Sequence, residues 1–168
     1  EVPTKQSWES WYYGLLEDDD GSTNPDTWLK NPNYNENNRY QWMHDMVNSY
    51  EAWGSSTGRG ITVAVIDGGV NADHYELKGK VTKLQVTSAL GTEPYGNHGT
   101  HVAGTVAGYA ANEEGVVTFS GVAPDAQILA MKVFPDEDAG AQEYAIINAL
   151  EDAAILGADV MNLSLGST

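Results

Sequence analysis

A run of apolar, mostly β-branched residues at positions 61–66 (ITVAVI) constrains this chain more than any other stretch. Gly60 precedes the run, and Asp67, Gly68 and Gly69 follow it. An unbroken run of this length is typical of a strand covered on both faces, as in a parallel α/β sheet. Asp67 would then lie at the carboxyl end of the strand, where open α/β sheets bind their ligands. Because Asp-Gly is also a common turn dipeptide, the strand alone leaves Asp67 either a turn residue or a site residue.

The second constraint is the segment GNHGTHVAGTVAG at residues 96–108, which is dominated by Gly, Ala and other small residues. We expect a helix over residues 98–110, although each interior Gly weakens a helix by about 1 kcal/mol relative to Ala. Such a sequence is favoured where a helix backbone must pack closely on a sheet. His98 would begin the helix, where the helix dipole opposes a second positive charge and keeps the imidazole ready to accept a proton. A neutral His oriented by a buried carboxylate is the base half of a nucleophilic triad, so Asp67 and His98 together predict this chemistry.

The sequence gives less support to two other functions, metal-dependent proteolysis and dinucleotide binding. His98 and His101 could share a metal, but the zinc-protease pattern His-Glu-x-x-His requires a Glu where this chain has Gly99. Dinucleotide binding is disfavoured because no Gly-x-Gly-x-x-Gly follows the first strand.

The rest of the pattern alternates strands with helices. Strands are predicted at residues 80–86, 127–134 and 160–165, and helices at residues 39–53 and 142–156. Alternation of this kind implies right-handed crossovers and a doubly wound parallel sheet with helices on both faces.

Periodicity also assigns buried and exposed positions in the two helices. His44 falls on the polar side of helix 39–53 and is expected at the surface. The buried side of helix 142–156 is predicted to hold Ile146, Ile147, Leu150, Ala153, Ala154 and Leu156.

Four segments resemble, in order and approximate spacing, the catalytic domain of subtilisin-like serine proteases, the subtilases. They are VAVIDGG (63–69), HGTHVAG (98–104), GVAPDAQILAMKVF (121–134) and DVMNLSLG (159–166). The resemblance implies a subtilisin-like α/β fold, incomplete in this chain, with residues 39–168 forming the N-terminal part of the catalytic domain. Residues 1–38 match no motif, and their many aromatic residues lead us to expect an N-terminal extension packed on that domain.

The resemblance also implies roles for individual residues of a protease that hydrolyses peptide bonds by a Ser-His-Asp catalytic triad. Asp67 would be the orienting acid and His98 the general base, while His101 would be structural. The backbone of Ser164, Leu165 and Gly166 would bind an extended peptide substrate.

A structural calcium ion is a further implication of the resemblance. Glu76 stands where the family usually has an Asp that ligates calcium, and its carboxylate oxygens could do the same. The loop that would supply further ligands, residues 111–120, is longer than in simple members of the family. No organic cofactor is implied.

The nucleophile is missing from this chain. The family's motif Gly-Thr-Ser, followed by a small residue, Ala and Pro, is absent, and so is the Asn that donates to the oxyanion. The chain could be one half of a processed two-chain enzyme nicked after Thr168, with Ser and Asn on a companion C-terminal chain. It could also be a shortened chain, or a non-catalytic subtilase-like module that binds peptides. We favour the two-chain serine endopeptidase, because nicking concentrates at exposed loop tips.

The composition narrows the partners and the compartment. The net charge of −16, from 24 acidic against 8 basic residues, argues against binding to nucleic acid or anionic membranes. No apolar run is long enough to predict a membrane span. A start at Glu1 in place of Met fits a mature protein made with a propeptide, as the resemblance implies, and we expect a secreted or cell-surface protein.

Overall fold

The structure of the protein is a computed structural model that describes residues 43–86, 97–111, 113, 115, 117–135 and 140–166. All of them belong to the unit Gln41–Thr168. The predicted N-terminal extension, residues 1–38, lies outside the described residues. Within the described ranges, no helix is both long enough and apolar enough to cross a membrane.

Six strands and four helices are described. In chain order they are α1 (Met43–Met46), α2 (Ser49–Ala52), β1 (Thr62–Asp67), β2 (Val81–Val86), α3 (Asn97–Ala107), β3 (Tyr109–Ala111), β4 (Val117–Ser120), β5 (Gln127–Lys132), α4 (Glu143–Ile155) and β6 (Val160–Asn162).

The main sheet has four parallel strands in the order β2-β5-β1-β6. Strand β1 lies between β5 and β6, and its residues are apolar without alternation because both faces of the sheet are covered. Val63 and Val65 are buried on one face of the sheet, and Ala64 and Ile66 are buried on the other.

Helices cover both faces of this sheet. Helix α3 packs through Ala103 and Ala107 into the core cluster that contains Val63 and Val65. Helix α4 packs into the opposite cluster, which contains Ile66. The prediction of a doubly wound parallel α/β sheet, incomplete in this chain, is therefore confirmed.

The buried side of α4 differs from the predicted one. Ala145, Ala149 and Ala153 are the fully buried residues, whereas Ile147 is about half exposed and Ala154 is exposed. The three alanines recur every fourth residue and form one narrow stripe, because small side chains let the helix lie close to the sheet. The bulkier Ile146 flanks the stripe and is partly buried.

The predicted helix 39–53 is interrupted, and His44 is buried, not exposed. Asn48 adopts a left-handed conformation (φ 56°) between α1 and α2, so helical periodicity does not run through the segment. The His44 side chain is fully buried, and its Nε2 donates to the carbonyl oxygen of Ser120 at 2.9 Å. The rings of Tyr50 and Trp53 pack around it, with centroids 5.4 and 5.0 Å away.

The segment predicted as a long loop, residues 111–120, is largely a β-hairpin. Strands β3 and β4 pair antiparallel, with Tyr109 opposite Ser120. The chain after β4 then returns to the carboxyl end of α3, where Val122 N–H donates to Thr105 O at 2.9 Å. The hairpin therefore anchors the end of α3 that lies away from His98.

Candidate active site

The structure brings Asp67 and His98 together. Asp67 is the last residue of β1, and His98 is the second residue of α3, which packs against that strand. His98 Nδ1 lies 2.9 Å from Asp67 Oδ2 and 3.0 Å from Asp67 Oδ1. The Asp67 side chain is 3% exposed, and that of His98 is 62% exposed. The pair thus consists of a buried carboxylate and an imidazole open to approach.

The hydrogen bonds fix which nitrogen of His98 is available. Asp67 accepts a bond from the backbone N–H of Gly68 at 2.6 Å and is within bonding distance of His98 Nδ1. A carboxylate only accepts, so Nδ1 carries the proton and Nε2 of the neutral ring is left as an acceptor. This arrangement can take a proton from a hydroxyl placed at Nε2 and can stabilise the imidazolium that forms.

Glycine at position 99 makes the close approach of α3 and β1 possible. A Cβ built on Gly99 would lie 2.2 Å from Gly69 O and 3.0 Å from Asp67 Oδ1. Gly69 itself has φ 97°, in the left-handed region that favours glycine. Gly99 in the HGTHVAG segment therefore serves the close packing that the sequence predicted.

Two features of the site were not predicted. Thr100 Oγ1 accepts a hydrogen bond from the backbone N–H of Asn71 at 2.9 Å, which joins the first turn of α3 to the loop after β1. Lys132 is 3% exposed and pairs with Asp67 in the parallel register of β5 and β1. The sequence carries no signal for the Thr100 bond, because its donor is a backbone group. Lys132 does have a sequence signal, because it is the charged residue that ends the apolar run of β5, as Asp67 ends that of β1.

The predicted substrate-binding residues follow β6 and approach the same edge of the sheet as Asp67. Val65 of β1 pairs with Asn162 of β6. Asp67 comes two residues after Val65, and Ser164 comes two residues after Asn162. Ser164 is exposed, and its hydroxyl donates to Asn162 Oδ1 at 2.9 Å. Leu165 is half-buried and Gly166 is exposed. The carboxyl ends of the two strands therefore share one rim.

Glu76 lies away from this rim, in the turn that precedes β2. Its Oε1 accepts a hydrogen bond from the Tyr75 hydroxyl at 2.8 Å, and its Oε2 is 3.9 Å from His74 Nδ1. The hydrogen bond to Glu76, with the charge of that carboxylate, raises the pKa of Tyr75. In the parts of the chain that the structure describes, no three His, Asp or Glu side chains are grouped so as to hold a metal.

Comparison with known proteins places this geometry in a family. The subtilase family profile matches residues 58–168. The chain is 38% identical over 128 residues to the intracellular serine protease of Paenibacillus polymyxa, covering 73% of this chain and 38% of that protein. It is 40% identical over 136 residues to the minor extracellular protease Vpr of Bacillus subtilis (strain 168), covering 73% and 16% respectively. The solved structure of the prenylagaramide maturation protease PagA matches with a TM-score of 0.56 and 29% identity, covering 71% of this chain and 39% of that one.

The contact between the Asp67 carboxylate and the His98 imidazole at the edge of a parallel sheet is typical of α/β proteins that perform acid–base chemistry. The chain belongs to the subtilase family of serine proteases. It spans less than half the length of each relative described above.

Proposed function

We propose that this chain supplies the acid and the base of a serine endopeptidase whose nucleophilic serine lies on a companion polypeptide. The observation that carries the proposal is the pair of contacts, 2.9 and 3.0 Å, between His98 Nδ1 and the carboxylate of Asp67. The membership of this chain in the subtilase family supports the reaction class, which is peptide-bond hydrolysis by a serine protease. The nucleophile has to come from outside these 168 residues, because the nucleophile motif and the oxyanion Asn are absent from the sequence.

The reaction is acyl transfer. His98 Nε2 takes the proton of the companion's serine hydroxyl while the serine oxygen attacks the peptide carbonyl carbon, and Asp67 stabilises the imidazolium. The imidazolium then returns the proton to the leaving amine, and a water molecule activated by the same nitrogen releases the acid product. General-base assistance of this kind contributes about 10²–10⁴-fold to the rate.

The peptide is bound as an added strand along residues 164–166. These residues continue the chain beyond β6, and Ser164 and Gly166 are exposed. Main-chain hydrogen bonds to an added strand provide affinity, and side-chain pockets provide specificity. The substrate class is therefore an extended segment of a peptide or protein.

The surface near β6 supports a companion polypeptide. In the described part of the chain, β6 has a neighbouring strand on one side only. Val160 in this strand is 51% exposed, Ile155 at the end of α4 is 81% exposed, and Leu163 is also exposed. Exposed apolar side chains in and next to an edge strand are typical of a surface that a further part of the protein covers.

Native mass spectrometry followed by labelling with a fluorophosphonate probe tests the proposal. We expect a second polypeptide to travel with this chain under native conditions and to carry the label after denaturation. If the chain travels alone, or its companion stays unlabelled, the catalytic proposal fails. The non-catalytic alternative, a subtilase-like module that binds peptides without cleaving them, would then account for the exposed residues 164–166.

We also propose Glu76 as one ligand of a structural calcium ion. Its carboxylate is the donor type that calcium prefers, but its described neighbours do not complete a site. Further oxygens would have to come from outside the described residues, for example from Asn112 and Glu114 in the β3–β4 connection. Calcium should raise the melting temperature of the wild-type chain and have a smaller effect on Glu76→Gln. Equal shifts in the two proteins would remove Glu76 from the site.

A secreted or cell-surface location and maturation from a propeptide complete the proposal. One relative is named as extracellular, and another is named as intracellular. Detection of this chain in the culture medium or cell-wall fraction, and of a larger precursor inside the cell, would support both points. Recovery of the mature chain from the cytoplasm alone would contradict them.

A further inference from the structure

The first turn of α3 is joined to the loop after β1 by a side-chain hydrogen bond. Thr100 Oγ1 accepts from the backbone N–H of Asn71 at 2.9 Å. The loop at Asn71 is itself held in place, because the preceding Val70 is 1% exposed and belongs to the core cluster. Asn71 Oδ1 also accepts from Asp73 N–H at 3.0 Å, which closes a turn. Thr100 is therefore bonded to a fixed point of the fold.

The position of His98 depends on this end of the helix. Its side chain is 62% exposed, so packing around the ring contributes little to its orientation. The buried residues of α3 are all Gly or Ala, and the first of them is Gly99. A glycine permits close approach but has no side chain that could resist sliding or rotation of the turn.

We propose that Thr100 is a positioning residue of the active site. Its hydroxyl holds the first turn of α3 against the loop after β1 and thereby keeps His98 Nδ1 within 3.0 Å of the Asp67 carboxylate. This inference rests on the proposed function for its catalytic consequence, but the geometric part can be tested without catalysis.

Replacing the hydroxyl by a methyl group isolates the effect. Thr100→Val keeps the branched shape and leaves Asn71 N–H without its acceptor. A displacement of about 1 Å in a catalytic group can lower the rate by about 10²-fold, so we expect kcat to fall by about 10- to 100-fold. KM should stay within about twofold, because the peptide is bound at residues 164–166 and not by α3.

The chain offers a matched control on the same helix. The Thr105 hydroxyl donates to His101 O at 3.0 Å, on an exposed part of the same helix. Thr105→Val makes the same chemical change without touching the loop after β1. Thr100→Ser keeps the acceptor and should restore most of the activity. If Thr100→Val does not fold, Thr100→Ala provides the same comparison.

The kinetic test uses the complete enzyme with its companion polypeptide. The proposal is supported if kcat falls in Thr100→Val, recovers in Thr100→Ser and is unchanged in Thr105→Val. It is overturned if kcat in Thr100→Val stays within about twofold of wild type, or if Thr100→Ser is as impaired as Thr100→Val.

A second readout separates this inference from the proposed function. In the ¹⁵N-labelled native protein, with whatever polypeptide it is isolated with, the imidazole nitrogen shifts of His98, assigned with His98→Gln, report how fully Nδ1 holds the proton. We expect Thr100→Val to reduce that fraction and Thr105→Val to leave it unchanged. Identical His98 signals in wild type and Thr100→Val would overturn the inference, even if the wild-type enzyme proves inactive. An inactive wild type with an altered His98 in Thr100→Val would instead refute only the proposed function.

Discussion

An alanine at position 99 would place a carbon atom where the structure has no room for one. The added Cβ would lie 2.2 Å from the carbonyl oxygen of Gly69, whereas such carbon–oxygen contacts normally start at about 3.3 Å. The first turn of α3 must therefore move about 1 Å away from Gly69, in the loop after β1. Gly69 O belongs to the backbone, so no side-chain rotation can relieve the contact.

The consequences for stability and activity differ in size. Alanine favours a helix over glycine by about 1 kcal/mol, and overpacking opposes this with about 1–3 kcal/mol. We expect Gly99→Ala to lower the free energy of unfolding by at most about 2 kcal/mol. Activity should suffer more, because His98 Nδ1 would move from 2.9 Å toward about 4 Å from Asp67, beyond hydrogen-bond distance. We expect kcat/KM to fall by about 10²-fold or more.

Gly104→Ala is the control for this prediction. Gly104 lies on the same helix, and no described atom outside the backbone of that helix is within 4 Å of a Cβ built there. Alanine should therefore stabilise the protein by up to about 1 kcal/mol and leave kcat/KM unchanged. Urea unfolding of each variant and peptide hydrolysis by the complete enzyme provide the two measurements. If Gly99→Ala were as active as Gly104→Ala, close packing of α3 on β1 would not control the Asp67–His98 geometry.

Two further predictions concern regions outside the active site. The hydrogen bond from the Thr57 hydroxyl is the main cause that lowers the pKa of the exposed Asp125 carboxyl, so Thr57→Val should raise that pKa toward the ordinary value of an Asp, as followed by NMR titration. Because the folded-state pKa of Asp125 is lowered, the bond makes the free energy of unfolding slightly larger at pH values above the unfolded-state pKa, and this gain is lost as the pH falls through the folded-state pKa. An unchanged Asp125 titration in Thr57→Val would refute the assignment. His44→Ala should lower the free energy of unfolding by about 2–4 kcal/mol, through a buried cavity and the lost bond to Ser120 O. His74→Ala, at a more exposed ring, should cost no more than about 1 kcal/mol in the same urea experiment, and equal losses would contradict the burial of His44.

The parallel sheet could be predicted because its strands carry a local signal. The apolar run at residues 61–66 became β1 at Thr62–Asp67, a shift of one position. The β3–β4 hairpin could not be predicted, since strands of three and four residues show too little periodicity and are stabilised by their mutual pairing. The burial of His44 was missed because the left-handed Asn48 ends the helical register on which the prediction depended.

Some parts of the candidate site could likewise be predicted from the sequence, and others could not. The proximity of Asp67 and His98 followed from strand, helix and motif, since each lies at an element terminus that the sequence identifies. The close approach at Gly99 was partly visible in the run of small residues. The bond between Thr100 and Asn71 was not visible, because its donor is a backbone group whose direction depends on the folded loop. Only the three-dimensional structure could reveal it.

The central claim is that His98, oriented by Asp67, is the general base of a serine endopeptidase. Its most direct test is the rate at which the native complex reacts with a fluorophosphonate probe in wild type, His98→Gln and the control His74→Gln. We expect His98→Gln to slow labelling by about 10³-fold or more, because the serine hydroxyl loses its proton acceptor, and His74→Gln to label at the wild-type rate. Labelling of His98→Gln at the wild-type rate would contradict the account.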